Sequence, residues 1–302
     1  MTNLVKLSVT LSLIFSINNV YADREAFEST YVPLAPEKIV IQNASIYDGD
    51  GGEFFETDVL VEDGKIIAIG KDLPFSNEFR VIDATGKWVT PGIIDIHSHM
   101  GVYPAPGVRT SSDGNEATSP VTADVWAEHS IWVQDPQYAL ALTGGVTAFH
   151  ILPGSANLIG GRGVTVKNLQ RNTINSMKFP DAPHSLKMAC GENPKRVYGN
   201  RGQAPSTRMG NAAGYRKSWI QAEGYLRRLN EYEEKSDEAK ELEYAPTRDL
   251  EMETLAGVLK GEILVHNHCY RADEMATMID IAKEFNYKIT AFHHGVEAYK
   301  IA

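Results

Sequence analysis

Two histidines, two residues apart, close an apolar run: Gly92-Ile93-Ile94-Asp95-Ile96-His97-Ser98-His99. Strand side chains alternate between faces, so residues i and i+2 point the same way. Asp95, His97 and His99 therefore share one face, and Ile94 and Ile96 take the other. Two imidazoles side by side at the tip of a strand can grip one divalent cation. The same alternation recurs downstream. Leu264, His266 and His268 share a face, as do Thr290, Phe292 and His294, with His293 on the opposite one. Strand-end histidines at three separate places are hard to explain as core filling. Lys187, inside the apolar run Leu186-Lys187-Met188-Ala189, is costly to bury unless paired. His129, His150 and His184 lack such settings and read as structural or exposed.

The elements that must carry these residues follow from pattern. Residues 37–90 read as short strands, with a D-G hairpin signal at Glu62-Asp63-Gly64-Lys65. Beyond Pro91, strand patterns at 93–97, 146–152, 186–190, 263–268 and 288–294 alternate with helical or irregular stretches. Two helices are clear, over 215–245 and 272–285. The second carries Met275, Met278, Ile279 and Ala282 at helical spacing. Such alternation predicts a parallel sheet, and histidines at strand ends fit a (β/α) barrel. The Pro-, Ser- and Gly-rich stretch 101–136 reads as a long loop shaping the site.

Composition bounds the rest. The chain has 302 residues, a formal charge of -10 and 43% hydrophobic residues, which is globular. Basic residues form no stripe, so nucleic acid is not an expected partner. Cys190 and Cys269 make no disulfide framework. Cys190 reads as a buried small hydrophobe and Cys269 as a neighbour of the later histidines, with pairing of the two left open. Lys6, an apolar run over 7–17 and Val20-Tyr21-Ala22 read as a signal peptide, residues 1–22, with a mature start at Asp23. The expectation is an exported protein, periplasmic or secreted, without a stable membrane anchor.

The string WVTPGIIDIHSHMG resembles the first barrel strand of the amidohydrolase superfamily. NASIYDGDGG…VLVEDGKIIAIG resembles the first half of the β-sandwich that accompanies such barrels. VHNHCYRADEM and FHHGVEAYKIA resemble the fifth- and sixth-strand motifs. The later strings, GENPKRVYG among them, resemble the imidazolonepropionase-like and prolidase-like branch. The resemblance implies an α/β fold with a (β/α)8 TIM-type barrel over 91–302 and a β-sandwich module over 23–90. It also implies one or two divalent metal ions, zinc first among them. His97, His99, His266 and His294 are the implied ligands, with His268 ranked behind His266, and His294 preferred to His293. A lysine carboxylated by carbon dioxide often bridges the two metals. Lys187 is the preferred bridge and Glu192 its rival. Lys187 and His294 are the implied catalytic residues. Asp95 is the candidate acceptor for a ligand's second ring nitrogen. His268, Lys195, Arg196 and Arg208 are placed on the substrate side, where cations grip a carboxylate.

The implied activity is hydrolysis of an amide or cyclic-amide C–N bond in a small molecule or peptide. A deaminase of the same superfamily and a non-catalytic ligand-binding relic are the alternatives. Association with further copies of the chain is left open. The resemblance also implies two more strands beyond Ala302, one carrying a general-base aspartate that no residue here matches. The chain by itself is therefore expected to be an incomplete, inactive piece.

Overall fold

A computed structural model describes residues 28–302. The expected signal peptide and the start at Asp23 lie outside the described residues. Five strands form the first sheet: β1 (Ile39–Tyr47), β2 (Glu53–Glu62), β3 (Lys65–Gly70), β4 (Arg80–Asp83) and β5 (Trp88–Val89). The order is β3-β2-β1-β4, with β5 also on β1. The hairpin signal is realised between β2 and β3. Asp63 and Gly64 both take positive φ, 52° and 70°, which a two-residue turn of the mirror-image type requires. Ala44, Ile46, Val59 and Ala84 pack one face of this sheet. It is a single mixed sheet among the described residues.

The second sheet has six strands: β6 (Ile93–Ser98), β7 (Val146–Ile151), β8 (Ile159–Lys167), β9 (Ser185–Ala189), β10 (Leu264–His268) and β11 (Ile289–His293). They lie in sequence order from β6 at one edge to β11 at the other. Five of the six strands were legible from the strand patterns, but β8 was not. Its Gly-Gly-Arg-Gly string carries no strand pattern in the sequence; it is a strand, antiparallel to both β7 and β9. The glycines are there for space. Gly161 has φ +105°, and a Cβ on it would meet the Val125 carbonyl oxygen at 2.3 Å. The sheet is therefore not uniformly parallel. It is also curled. Flat, six strands would hold their edges about 24 Å apart, yet the ring of His97 on β6 lies 4.4 Å from that of His293 on β11.

Helices cover the outer face: α1 (Gln137–Thr143), α2 (Glu192–Gly199), α3 (Arg208–Glu233), α4 (Asp237–Glu241), α5 (Leu250–Lys260) and α6 (Ala272–Glu284). The helix read over 215–245 starts earlier, where the Thr207 hydroxyl accepts from Gly210 N–H, and stops at Glu233. The short α4 restarts behind Ser236. α5 went unread, although its ends are well marked by an Asp249 cap and a left-handed Gly261. Leu186, Met188 and Val265 of the sheet bury against Tyr215, Trp219, Leu255 and Met278 of the helices. That burial leaves the inward face of β9 and β10 free to carry polar groups. Among the described residues no helix is long and apolar enough to cross a membrane.

Candidate active site

Seven histidines converge inside the curl, at the C-terminal ends of the strands. His97 is the penultimate residue of β6, and His99 directly follows the strand. Their Nε2 atoms lie 3.3 Å apart. The Leu152 carbonyl accepts from His99 Nδ1 at 2.8 Å, so the His99 proton sits on Nδ1 and the Nε2 lone pair faces His97. Two nitrogens held by one tetrahedral zinc at about 2.0–2.1 Å are about 3.3–3.4 Å apart. The pair thus has the bite of a metal-binding pair. Asp95 does not orient either ring. Its carboxylate accepts from the His97 backbone N–H at 3.0 Å, and the orienting acceptor is the Leu152 carbonyl instead.

Lys187 points inward from β9, in register with His266 on β10. It is 1% exposed, and its Nζ donates to the Pro153 carbonyl at 3.1 Å. No carboxylate pairs with it among the described residues. Desolvation pulls its pKa down to about 7. Its charge presses on all seven imidazoles. Burial is the larger cause. It holds His97 at about 2, His150, His268 and His293 at about 3, and His266 at about 4, and it lowers His99 and His294. All seven are neutral at pH 7, the form that offers a lone pair.

The last strand departs from simple alternation. Val265 pairs with Ile289, but His266 pairs with Ala291, so Thr290 is an extra residue. The bulge turns Ala291 and His293 to the interior and sends Phe292 to the helix side, where it packs on the core. His293, set aside on parity, is therefore inside. Its Nε2 lies 2.8 Å from His266 Nδ1. His294 follows the strand with a left-handed φ of 57°, which brings its ring to 4.7 Å from both His97 and His268. His150 also belongs to the cluster rather than to an unrelated structural setting. It bonds the Thr165 and Ser185 hydroxyls and packs on His266 at 4.6 Å. The alternation argument, applied to 146–152, was the signal that could have found it.

His268 Nε2 meets Asn193 Nδ2 at 3.1 Å, and Asn193 also donates to the Ser155 hydroxyl. Two tyrosines flank the cluster, Tyr103 against His99 and Tyr270 against His268. Neither tyrosine nor Asn193 was singled out by sequence. Glu192 is exposed in the first turn of α2, outside these contacts. Lys195 and Arg196 lie on the same helix, half-buried and exposed. Arg208 pairs with Asp273 and approaches Glu274 at 4.0 Å. His129 and His184 stand apart, beside the buried Glu128.

Cys190 is buried in the apolar core, as its sequence setting implied. Cys190 and Cys269 are bonded to each other, tying the residues that follow β9 and β10. Each lies one residue past a strand that carries site residues. Among the described residues no three His, Cys, Asp or Glu side chains are arranged to hold one ion. The His97/His99 pair fits a metal. Within the cluster, the further donors at hand are other imidazoles and the buried Lys187 amine.

Known proteins bear on this arrangement. "Amidohydrolase tasK" of Hapsidospora irregularis is 36% identical over 271 residues, 84% of this chain and 27% of that protein. A dihydroorotase of Lactobacillus helveticus is 46% identical over 74 residues, 24% of this chain and 16% of that protein. The crystal structure of an amidohydrolase from Thermotoga maritima MSB8 superposes with a TM-score of 0.79 at 40% identity, covering 87% of this chain and 66% of that one. The chain thus spans about a quarter of the first relative and just under two thirds of the solved one. No family model matches. Similarity that runs through both sheets and the histidine-bearing strands carries one conclusion: the chain belongs to the amidohydrolase superfamily.

Proposed function

We propose that the chain forms the metal-binding side of a hydrolase that cleaves amide or cyclic-amide C–N bonds in a small molecule or peptide. The observation that carries this is the His97/His99 pair, with Nε2 atoms 3.3 Å apart and the His99 tautomer held by a backbone carbonyl. His97, His99, His266 and His294 hold one or two divalent ions in this reading, zinc first. A bound divalent ion supplies the charge that lowers the pKa of a water toward about 7 and polarises a carbonyl.

The chain's own residues do the remainder. Lys187 is the bridging group. Held near pKa 7 without a carboxylate partner, its amine is a nucleophile at neutral pH. The Nζ lone pair attacks the carbon of carbon dioxide, an N–C bond forms as one C=O π pair moves onto its oxygen, one proton leaves to solvent, and the resulting carbamate oxygens would join the histidines in holding the divalent ions. Glu192, exposed on α2, is the weaker choice. Tyr103 and Tyr270 border the cluster and shape what can approach it. Export, and the division into a sheet module and a barrel, belong to the same reading.

Elemental analysis of the purified chain, with zinc titration, tests it first. One or two equivalents of bound metal are expected, and a ¹³C carbamate signal should appear with labelled bicarbonate. Hydrolysis is then read with N-acyl amino acids, dipeptides and cyclic amides as substrates. Absence of metal binding would sink the reading. One metal without a carbamate, together with ammonia release from amidine substrates, would replace it with the deaminase alternative.

A further inference from the structure

We propose that Tyr103 is a specificity-determining residue whose ring, not its hydroxyl, meets the substrate, so that the site favours C–N substrates carrying an apolar group beside the bond to be cleaved. This rests on the reading of the histidine cluster as the reaction centre and adds to it the class of substrate. The Tyr103 backbone N–H donates to the His99 carbonyl at 3.0 Å, closing one turn of chain between the two residues. Its ring then packs edge-on to that of His99, with centroids 5.7 Å apart. A phenol in such a place can act in two ways. It can donate a hydrogen bond to charge that develops on the substrate, or it can stand as an apolar wall. The hydrogen bonds around it decide which.

The decision starts at Asn157, which is 1% exposed. Its amide nitrogen donates to the Glu116 and Ser119 carbonyls at 2.7 and 2.8 Å. Carbonyls only accept, so the nitrogen must face them and the amide oxygen must face the other way. There it accepts from Asn115 Nδ2 at 3.3 Å. That contact in turn fixes Asn115, whose oxygen is left facing the Tyr103 hydroxyl at 3.0 Å. An amide oxygen has no proton to give, so the hydroxyl is the donor. Burial raises the Tyr103 pKa, so the proton is present at neutral pH. With its one proton committed to Asn115, the hydroxyl has none for a substrate. What the side chain offers beside His99 is its ring.

The ring is also held still. A Cβ on Gly114 would lie 2.2 Å from its Cζ, and one on Gly154 would lie 2.1 Å from Asn115 Oδ1, so both glycines let the backbone close behind the pair. The Gly154 N–H donates to the Gly114 carbonyl at 2.8 Å and ties the two segments. The same short stretch sets the site itself: the Leu152 carbonyl orients His99, and the Pro153 carbonyl holds Lys187. Tyr103 is thus fixed relative to both groups. It is 38% exposed, so part of it stays open to a ligand. An apolar face that is already immobile loses little entropy when a ligand packs on it. A polar group placed there would lose water without gaining a partner.

The test uses the zinc-loaded chain and two hydroxamates, which share a metal-seeking head and differ in the group beside it. Zinc content is measured first in every variant, and far-UV CD checks the fold. Calorimetry should show benzohydroxamate bound more tightly than acetohydroxamate. Tyr103→Ala should cut that preference about 10-fold. Tyr103→Phe, which keeps the ring, should keep most of it. An unchanged preference in folded Tyr103→Ala overturns the proposal. So does an equal loss for both hydroxamates in Tyr103→Phe, because it would mean that the hydroxyl serves the metal-bound head. If the wild type binds no zinc, the metal reading falls, and Tyr103 is read on the metal-free chain labelled with 3-fluorotyrosine, its ¹⁹F line assigned by its loss in Tyr103→Phe. Benzohydroxamate should shift that line and acetohydroxamate should not; a line that benzohydroxamate leaves in place overturns the proposal.

Discussion

The rings of His97 and His293 meet at 4.4 Å, although their strands stand at opposite edges of a six-stranded sheet. That contact is what makes a site. Histidines on β6, β10 and β11 would otherwise point in parallel from a flat surface, too far apart to act on one substrate. The curl closes them around Lys187, whose ammonium has no carboxylate partner among the described residues.

Removing either member of the close pair should abolish metal binding. His97→Ala and His99→Ala are each expected to lose most of the bound zinc by elemental analysis. Far-UV CD should stay nearly unchanged, because neither side chain belongs to the apolar clusters. Full zinc occupancy in both variants would show that the 3.3 Å nitrogen pair is not a metal grip.

Acid should destabilise the metal-free protein. Burial holds His150, His268 and His293 at about 3 and His266 at about 4, against about 6.5 in an unfolded chain. Between those values the unfolded state binds protons that the folded state does not. Stability is therefore complete above about pH 6.5 and is lost as the pH falls toward 4. Thermal melts should show a falling Tm from pH 7 to 4.5. His150→Gln, which keeps hydrogen-bonding capacity without titrating, should flatten the slope. A Tm unchanged over that range contradicts the burial argument.

Lys187 should act at the other end of the scale. Its folded pKa is about 7 and its ordinary value is 10.5. Across that interval the unfolded chain keeps a proton that the folded chain has released, so stability rises with pH. Metal-free protein kept free of carbon dioxide should gain Tm between pH 7 and 9.5, and Lys187→Met should lose that gain. An identical pH profile in Lys187→Met would mean that the amine reaches solvent.

The bond between Cys190 and Cys269 spans 79 residues of sequence. Chain-entropy reasoning assigns a closed loop of that length about 4.5 kcal/mol of stabilisation. Reduction with dithiothreitol, or the double substitution Cys190→Ser with Cys269→Ser, should lower the denaturation midpoint markedly. It should also loosen zinc binding, since both cysteines directly follow strands of the site. Alkylation of both thiols in non-reduced, unfolded protein would show that the bond is absent.

Much of this was legible in the chain. The His97-Ser98-His99 pair, inward Lys187, the Asp63-Gly64 turn and the helix over Ala272–Glu284 all follow from short-range rules. Alternation, turn chemistry and helical spacing act over a few residues, and the sequence carries those residues in order. The superfamily, too, was readable from the strand-end strings.

Other features were decided only by the tertiary structure. The glycine-rich string became an antiparallel strand because Gly161 lets β8 pass against the Val125 carbonyl, a neighbour distant in sequence. His293 turned inward because pairing with β10 made room for one extra residue, and a one-residue slip swaps the faces of a strand. His150 joined the cluster through hydroxyls on β8 and β9. Arg208 met Asp273, and Cys190 found Cys269 across a strand pair. In each case the deciding partner lies far along the chain. The sequence by itself determined which groups are present and which face each strand offers locally. Which groups meet was set by the curl and register of the sheet, because those depend on contacts that form only when the whole sheet closes.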